Sequence, residues 1–304
     1  MEHRRIGSLE VSVIGVGCNN FGWRLDADAT AAVVHAALDA GIDFFDTAEL
    51  YGDGLSEEYL GRALRGRRQS VVIASKFGYK TAPSNRRGHP ANVRRAADAS
   101  LQRLGTDYID LFQLHSPDPT VPIADTLGAL DEVVQQGKVR EIGCSNFSAA
   151  QLEEAARTVK PGAARFVSVQ NEYSLMHREP EADVLPECAR LGLAFIPYYP
   201  LASGLLTGKY RRGEPLPKGT RLAEGSGMLA DENLAAVEEL IQFAESKGHT
   251  LLELAIAWLL AHPSVASVIA GATKAEQVRG NAAAAQWRLS EDERAAVDAL
   301  AVYS

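Results

Sequence analysis

Short apolar runs recur along the chain, and several lack any polar alternation and end in a polar or ionisable residue. Phe44-Phe45 leads into Asp46 and then Tyr51, Val71-Val72-Ile73-Ala74-Ser75 ends at Lys76, and Ile109-Asp110-Leu111-Phe112-Gln113-Leu114 ends at His115. A strand without alternation is buried on both faces, and the polar residue at its end marks where the chain leaves the core. Further runs centre on Val13-Ile14-Gly15-Val16-Gly17, Val139 to Cys144, Phe166 to Gln170, Phe195 to Tyr198 and Val265 to Ile269. Helix-like stretches separate them. This alternation, without a linker or a shift in composition, predicts an α/β fold: a (β/α)8 TIM barrel in one domain over residues 1–304.

Punctuation along the chain supports that layout. Arg4 to Val11 reads as an N-terminal β-hairpin. Ser148 with Gln151, Thr250 with Glu253 and Ser290 with Glu293 have capping-box spacing and predict three helix starts. One connection, from about Pro200 to Asp231 after the seventh strand, is rich in Gly and Pro and longer than most βα loops. In a barrel it would hang over the active-site face.

At 304 residues and 46% hydrophobic content the chain can bury a large core, and length alone allows one barrel or two smaller domains. The net charge of −8 argues against a nucleic-acid or anionic-membrane partner, which needs a concentrated basic patch. Cys18, Cys144 and Cys188 are odd in number and lack metal-ligand spacing, so neither a disulfide framework nor a metal site is expected. With no apolar signal core at the N-terminus and no membrane-length run, the expected setting is the cytoplasm.

The strand ends converge on proton donation. A free phenol is a poor acid near neutrality, with a pKa of about 10. An adjacent ammonium stabilises phenolate and lowers that value, which Lys76 is placed to do for Tyr51. Asp46 would hold Lys76 protonated, and His115 would polarise a carbonyl oxygen or share the proton. Each residue alone has an ordinary reading as a turn residue, core tyrosine, strand end or core histidine. Their joint spacing is what singles them out.

The chain resembles the aldo-keto reductase family over nearly its whole length. The matching stretches are Asp46-Thr47-Ala48 to Tyr51-Gly52-Asp53-Gly54-Leu55-Ser56-Glu57, Ser75-Lys76, and Gln113-Leu114-His115-Ser116-Pro117-Asp118. They continue with Gly137-Lys138-Val139-Arg140, Gly143-Cys144-Ser145-Asn146-Phe147, Gln170-Asn171-Glu172-Tyr173, and Pro200-Leu201-Ala202-Ser203-Gly204 through Lys209-Tyr210. The resemblance implies the same barrel, a catalytic tetrad of Asp46, Tyr51, Lys76 and His115 with Tyr51 as general acid, and reversible reduction of aldehydes or ketones.

No flavin or metal signature is present, so a nicotinamide nucleotide is the expected hydride donor, NADPH first and NADH second. Gly15-Val16-Gly17-Cys18-Asn19-Asn20 lacks the third glycine of the dinucleotide fingerprint and reads as a barrel-mouth turn. Ser145, Asn146 and Gln170 are placed to hydrogen-bond a carboxamide, and Tyr198 to stack on the nicotinamide. For Ser145 and Asn146 a plain turn before the Ser148 cap is the alternative.

After the eighth strand, Gly271-Ala272-Thr273-Lys274 opens a helix whose N-terminus is a candidate anion site. Lys274 in a first helical turn would meet the 2′-phosphate, with Gln277 and Asn281 on its face and Arg279 a weaker candidate; solvated lysine and arginine are the alternative. The resemblance adds Lys209 and Arg221 over the pyrophosphate, and Leu201, Ser203, Gly271 and Thr273 complete the cofactor set. Gly280 departs from the glutamate that many relatives carry beside the asparagine, which bears on NADP preference.

Phe21, Trp23 and Phe77, with Tyr79, are candidate walls of a substrate pocket, and equally candidates for packing under loops. Two other functions compete. A nicotinamide-binding sensor or channel-associated subunit, as some family members are, would keep the tetrad but turn over slowly. A barrel isomerase or lyase would leave Tyr198 and the last turn without a purpose.

Overall fold

Strands form where the apolar runs fall, and their pairing sets the geometry of everything above them. The computed structural model describes residues 1–79, 87–222 and 225–300. β1 (His3–Ile6) and β2 (Leu9–Ser12) form the expected antiparallel hairpin. The barrel strands are β3 (Ile14–Gly17), β4 (Phe44–Asp46), β5 (Val72–Phe77), β6 (Ile109–Leu114), β7 (Val139–Ser145), β8 (Phe166–Glu172), β9 (Ala194–Tyr198) and β10 (Val268–Gly271). They bond in the order β10-β3-β4-β5-β6-β7-β8-β9, and each neighbouring pair is parallel.

The seam between β9 and β10 is bridged at Phe195 and Val265, with Phe195 N–H donating to the Ser264 carbonyl (2.7 Å) and Ala266 N–H to the Phe195 carbonyl (3.0 Å). This closure displaces one expected element. The run read as a strand from Val265 pairs with β3 only from Val268, because its first residues serve β9 on the opposite edge.

The helices are α1 (Ala27–Asp39), α2 (Leu55–Ala63), α3 (Pro90–Leu104), α4 (Ile123–Gln135), α5 (Ala149–Thr158), α6 (Val184–Leu191), α7 (Asp231–Ser246), α8 (Leu251–Leu260), α9 (Ala275–Ala284) and α10 (Glu291–Leu300). Their starts follow the capping chemistry. Ser148 and Gln151 open α5 and Thr250 and Glu253 open α8 with reciprocal side-chain caps, and Ser290 and Glu293 do the same before α10. The long connection from β9 to α7 carries two short 3-10 turns, Ala202–Thr207 and Gly227–Leu229. Among the described residues no helix is long and apolar enough to cross a membrane.

Two apolar cores give the barrel its polarity. The larger lies between the strands and the helices. In the smaller, Ile6, Leu9 and Val11 of the hairpin pack on inward side chains including Phe44, Leu111, Val167, Ile196 and Ile269, closing the N-terminal end. The hairpin turns at Gly7, with φ +60°, where a Cβ would come within 2.9 Å of Val167. Only the C-terminal end is left to open onto solvent, the end that carries the active sites of such barrels.

Near the closed end, the buried Asp110 of β6 accepts from Arg68 (2.6 Å), Arg140 (2.8 Å) and the Ile73 N–H (2.9 Å). This triad ties β5, β6 and β7 together below the site. Asp110→Ala removes the carboxylate from both guanidiniums and leaves one buried N–H unpaired, although Arg68 keeps the Val71 and Tyr108 carbonyls. Breaking a buried pair costs roughly 3–5 kcal/mol. The low end is expected, since the Arg140 side chain is 51% exposed. Chemical denaturation should show that loss, with cofactor binding by the folded fraction unchanged.

Candidate active site

The four strand-end residues meet at the open pole. Asp46 ends β4, Lys76 precedes the last residue of β5, and His115 follows β6 with its N–H donating to the Phe77 carbonyl (2.8 Å). Tyr51 opens a 3-10 turn, Tyr51–Gly54, that leads into α2. In that turn Gly52 has φ +58°, and a Cβ there would lie 2.9 Å from the Gly22 backbone, so only glycine lets the two loops approach. Buried side chains brace the start of α2. Ser56 Oγ donates to the Cys18 carbonyl (2.9 Å), and Glu57 accepts from Ser75 Oγ (2.5 Å) and Arg103 Nε (2.6 Å).

Lys76 is the centre of the group. Its Nζ donates to Asp46 Oδ1 (2.5 Å), the Thr47 carbonyl (2.8 Å) and Tyr51 Oη (3.4 Å), which uses all three ammonium donors. Burial works against the Lys76 charge, but Asp46 and Tyr51 outweigh it and hold its pKa above the ordinary value. For Tyr51 the balance differs from the sequence expectation. Burial pushes the phenol above its ordinary value, and the opposing pull of Lys76, itself offset by Asp46, does not reverse this. Tyr51 is therefore protonated at neutral pH, with Lys76 limiting how weak an acid it becomes. Burial first, and the Lys76 charge second, hold His115 well below its ordinary value, so its ring is neutral.

A cavity of about 420 Å³ opens over these groups. It is lined by Asp46, Tyr51 and His115, by Ser145, Asn146, Gln170, Tyr198, Arg221 and Gly271 from the expected cofactor set, and by Tyr79. It is also lined by Gly17, Asn19, Leu50, Ser116, Tyr199, Pro200 and Ile269, none of which the sequence names as a site residue. Gly17 and Asn19 belong to the turn read as a barrel mouth, and Tyr199 follows Tyr198, so position at a strand end is the available signal.

The donors and acceptors around one end of the cavity suit a carboxamide and a flat ring. Asn146, with φ +63°, donates through Nδ2 to the His115 carbonyl and Ser145 Oγ (both 3.0 Å), and accepts at Oδ1 from Tyr198 Oη (2.9 Å). Ser145 Oγ donates to the Gln170 carbonyl (2.8 Å). Gln170 faces two ways, because its Nε2 donates to Asp46 Oδ2 (2.8 Å). Gly17 and Gly271 pair across β3 and β10, and a Cβ on Gly271 would stand 3.3 Å from Asn19 Oδ1. Without side chains at these two positions, the cavity extends over the paired ends of β3 and β10.

Other expected residues lie elsewhere. Phe21 and Phe77 are fully buried in the outer core, with Phe77 stacked on Phe112 at 4.6 Å, so neither walls the cavity. Strand parity is the reason: Lys76 points into the barrel, and its neighbour Phe77 must point out under the helices. Trp23 is 64% exposed beside a separate shallow groove with Gly22, Leu50 and Gly52. Tyr79 supplies the aromatic wall instead, its ring 4.7 Å from that of His115.

Within the long connection Ser203 has φ +57°, Leu201 packs partly buried on the core, and the Arg221 guanidinium lies 5.2 Å from the Tyr199 ring. Lys209 Nζ lies against Gly204 and 5.2 Å from the Tyr210 ring, away from the cavity lining. Lys274 is the N-cap of α9 with extended backbone, not a first-turn residue. Along α9, Gln277 is exposed and Asn281, one turn further on, is 6% exposed. Gln277 Oε1 accepts from the N–H groups of Thr273 (2.7 Å) and Lys274 (3.1 Å), so it caps the turn. Cys18, Cys144 and Cys188 are free and buried, and among the described residues no cluster of His, Cys, Asp or Glu is placed to hold a metal ion.

Comparison with known proteins agrees with this arrangement. The profile of the Aldo/keto reductase family matches residues 13–302. A probable voltage-gated potassium channel subunit beta of Oryza sativa subsp. japonica is 36% identical over 92% of this chain and 90% of its own length. Its counterpart in Arabidopsis thaliana is 35% identical with the same coverage. Among solved structures, the glycerol dehydrogenase AKR11B4 from Gluconobacter oxydans superposes with a TM-score of 0.85 at 32% identity, over 98% of this chain and 94% of that one. The aldo-keto reductase AKR11C1 from Bacillus halodurans, in its holo form, gives 0.81 at 32% identity, over 99% and 96%. With its eight-stranded barrel, its strand-end residues gathered at one pole and a family match over nearly its whole length, the chain belongs to the aldo/keto reductase family of oxidoreductases.

Proposed function

We propose that the protein is an NADPH-dependent carbonyl reductase acting on small aldehydes or ketones, with Tyr51 as its proton donor. The observation that carries this reading is the Lys76 ammonium set between Asp46 Oδ1 and Tyr51 Oη at the floor of the cavity. Bound nicotinamide supplies the hydride that reduces the carbonyl carbon. Ser145, Asn146 and Gln170 would hold its carboxamide and Tyr198 would offer a flat face to its ring, with Gly17 and Gly271 leaving room beside them.

Tyr51 gives its proton to the carbonyl oxygen, and Lys76 stabilises the phenolate left behind. Neutral His115 polarises that oxygen. Its Nδ1 is buried with no partner among the described residues, so the ring proton is assigned to Nε2, the nitrogen left for the substrate. Lys209, Arg221 and Lys274, with Thr273, Gln277 and Asn281 around the last turn, form the proposed phosphate end. Three buried free thiols fit a reducing, cytoplasmic setting.

A second reading draws on the two plant relatives: the protein is a channel-associated subunit that binds nicotinamide nucleotide and turns over slowly. Steady-state turnover against a carbonyl panel, beside the cofactor dissociation constant, separates the two. Tight binding with negligible turnover on every carbonyl favours the second.

Tyr51→Phe keeps the ring and removes the donor, so kcat should fall roughly 10²-fold or more. NADPH affinity should stay unchanged; near-normal turnover would remove Tyr51 from its role. Lys76→Met deletes the one charge that opposes the upward shift of Tyr51. Its phenol becomes a weaker acid, so kcat should drop and the alkaline limb, where Tyr51 loses its proton, should move to higher pH. A pH series of kcat reads both effects, and an unchanged profile would make Lys76 a structural cation.

Lys274→Ala tests the phosphate end. A charge-assisted contact to phosphate contributes about 1.5–3 kcal/mol, so NADPH should weaken roughly tenfold to a hundredfold and NADH hardly at all. Fluorescence quenching gives both constants, and an equal loss for the two cofactors sinks the assignment.

A further inference from the structure

Tetrad chemistry uses one oxygen of Asp46 and leaves the other to be explained. Oδ1 faces Lys76, while Oδ2 accepts two side-chain amides, Gln170 Nε2 at 2.8 Å and Gln113 Nε2 at 3.3 Å. Asp46 is 1% exposed, Gln170 2% and Gln113 0%, so the carboxylate is almost wholly enclosed by protein and these amides are its main partners at Oδ2. The amide orientation is chemically required, because a carboxylate only accepts and each glutamine must therefore turn its nitrogen toward it.

Gln113 reaches Asp46 across the barrel interior, and the strands make room for it. It sits on β6 in register with Lys76 on one side and Gly143 on the other. A Cβ at Gly143 would stand 3.2 Å from Gln113 Cγ and 2.5 Å from Ser168 Oγ, so the glycine clears the layer through which the glutamine extends. Gln113 Oε1 has no partner among the described residues. Leaving a buried acceptor unpaired is unfavourable, and the compensating contact is the one its nitrogen makes with the carboxylate.

We propose that Gln113 is a positioning residue for the proton-donating group: with Gln170 it clamps Asp46 Oδ2, so that Oδ1 is held against Lys76 and Lys76 against Tyr51. Gln170 adds a link to the cofactor, since the same side chain lines the nicotinamide end of the cavity and grips the carboxylate. Gln113 lies deeper, touches neither substrate nor cofactor, and acts only through Asp46.

The proposal rests on Tyr51 being the acid, and its test separates the two ideas. Gln113→Met keeps length and apolar fit while removing the donor. Losing one hydrogen bond to an ionised group should lower kcat about tenfold or more. KM for the carbonyl and the NADPH dissociation constant should stay within about twofold, as expected for an interaction that matters only in the chemical step. In an Asp46→Asn background the same substitution should have little further effect, because the charge it serves is gone.

Wild-type kcat in Gln113→Met, an equal kcat loss in both backgrounds, or a parallel loss of cofactor affinity would each overturn the clamp. If the Met variant folds poorly, Gln113→Asn withdraws the amide from reach and is read the same way. Side-chain amide resonances give a readout without turnover: Asp46→Asn should move the Gln113 and Gln170 NH2 signals together, and a still Gln113 signal contradicts the contact. Loss of turnover in Tyr51→Phe with none in Gln113→Met overturns the clamp alone, whereas retained turnover in Tyr51→Phe overturns the proton-donor reading itself.

Discussion

An ammonium with no exposed surface has to be neutralised where it stands, because moving a lone charge out of water is prohibitive. Lys76 meets that requirement with one carboxylate, one carbonyl and one phenol, and the three partners come from the stretch that runs from the last residue of β4 to the turn before α2. The pair Lys76 and Asp46 thus fixes β5 against the β4 loop and places Tyr51 in the same act. Much of the surrounding structure serves this pair: Gly52 lets the Tyr51 turn close on the neighbouring loop, and Glu57 and Ser56 brace the start of α2 behind it.

The opposed tendencies at Tyr51 come from the same burial. Taking the phenol out of water makes it a weaker acid, and the adjacent ammonium limits the change. A protonated donor beside a fixed cation is suited to give up its proton only when negative charge develops next to it, which is the condition for a useful general acid. His115 feels the same two influences, but there they act together: burial first and the Lys76 charge second both lower its pKa and keep its ring neutral, whereas at Tyr51 the cation opposes burial.

A glycerol dehydrogenase and plant channel subunits, proteins of different described roles, are both similar to this chain over nearly its whole length. A barrel closed below by a hairpin and open above leaves specificity to the loops, so the fold fixes the place of the chemistry and the loops fix its object. In this chain the loop residues that line the cavity beyond the strand ends include Tyr79, Tyr199 and Arg221.

Apolar runs, capping pairs and strand-end polar residues are local signals, and they were enough to read the strand-and-helix alternation, the hairpin, three helix starts and the strand ends at which Asp46, Lys76 and His115 stand. They work because burial on both faces of a strand and the satisfaction of helix termini are decided within a few residues. What the local pattern could not decide depends on partners distant along the chain. Phe77 went to the outer core and Tyr79 to the cavity, Val265 closed the barrel before Val268 joined it, and Lys274 stopped short of its helix. The second oxygen of Asp46 found Gln113 and Gln170, which lie 67 and 124 residues away along the chain. Composition and spacing determined which groups would reach the open pole; only the closed barrel, by setting which side chains share its interior, decided what each of them touches there.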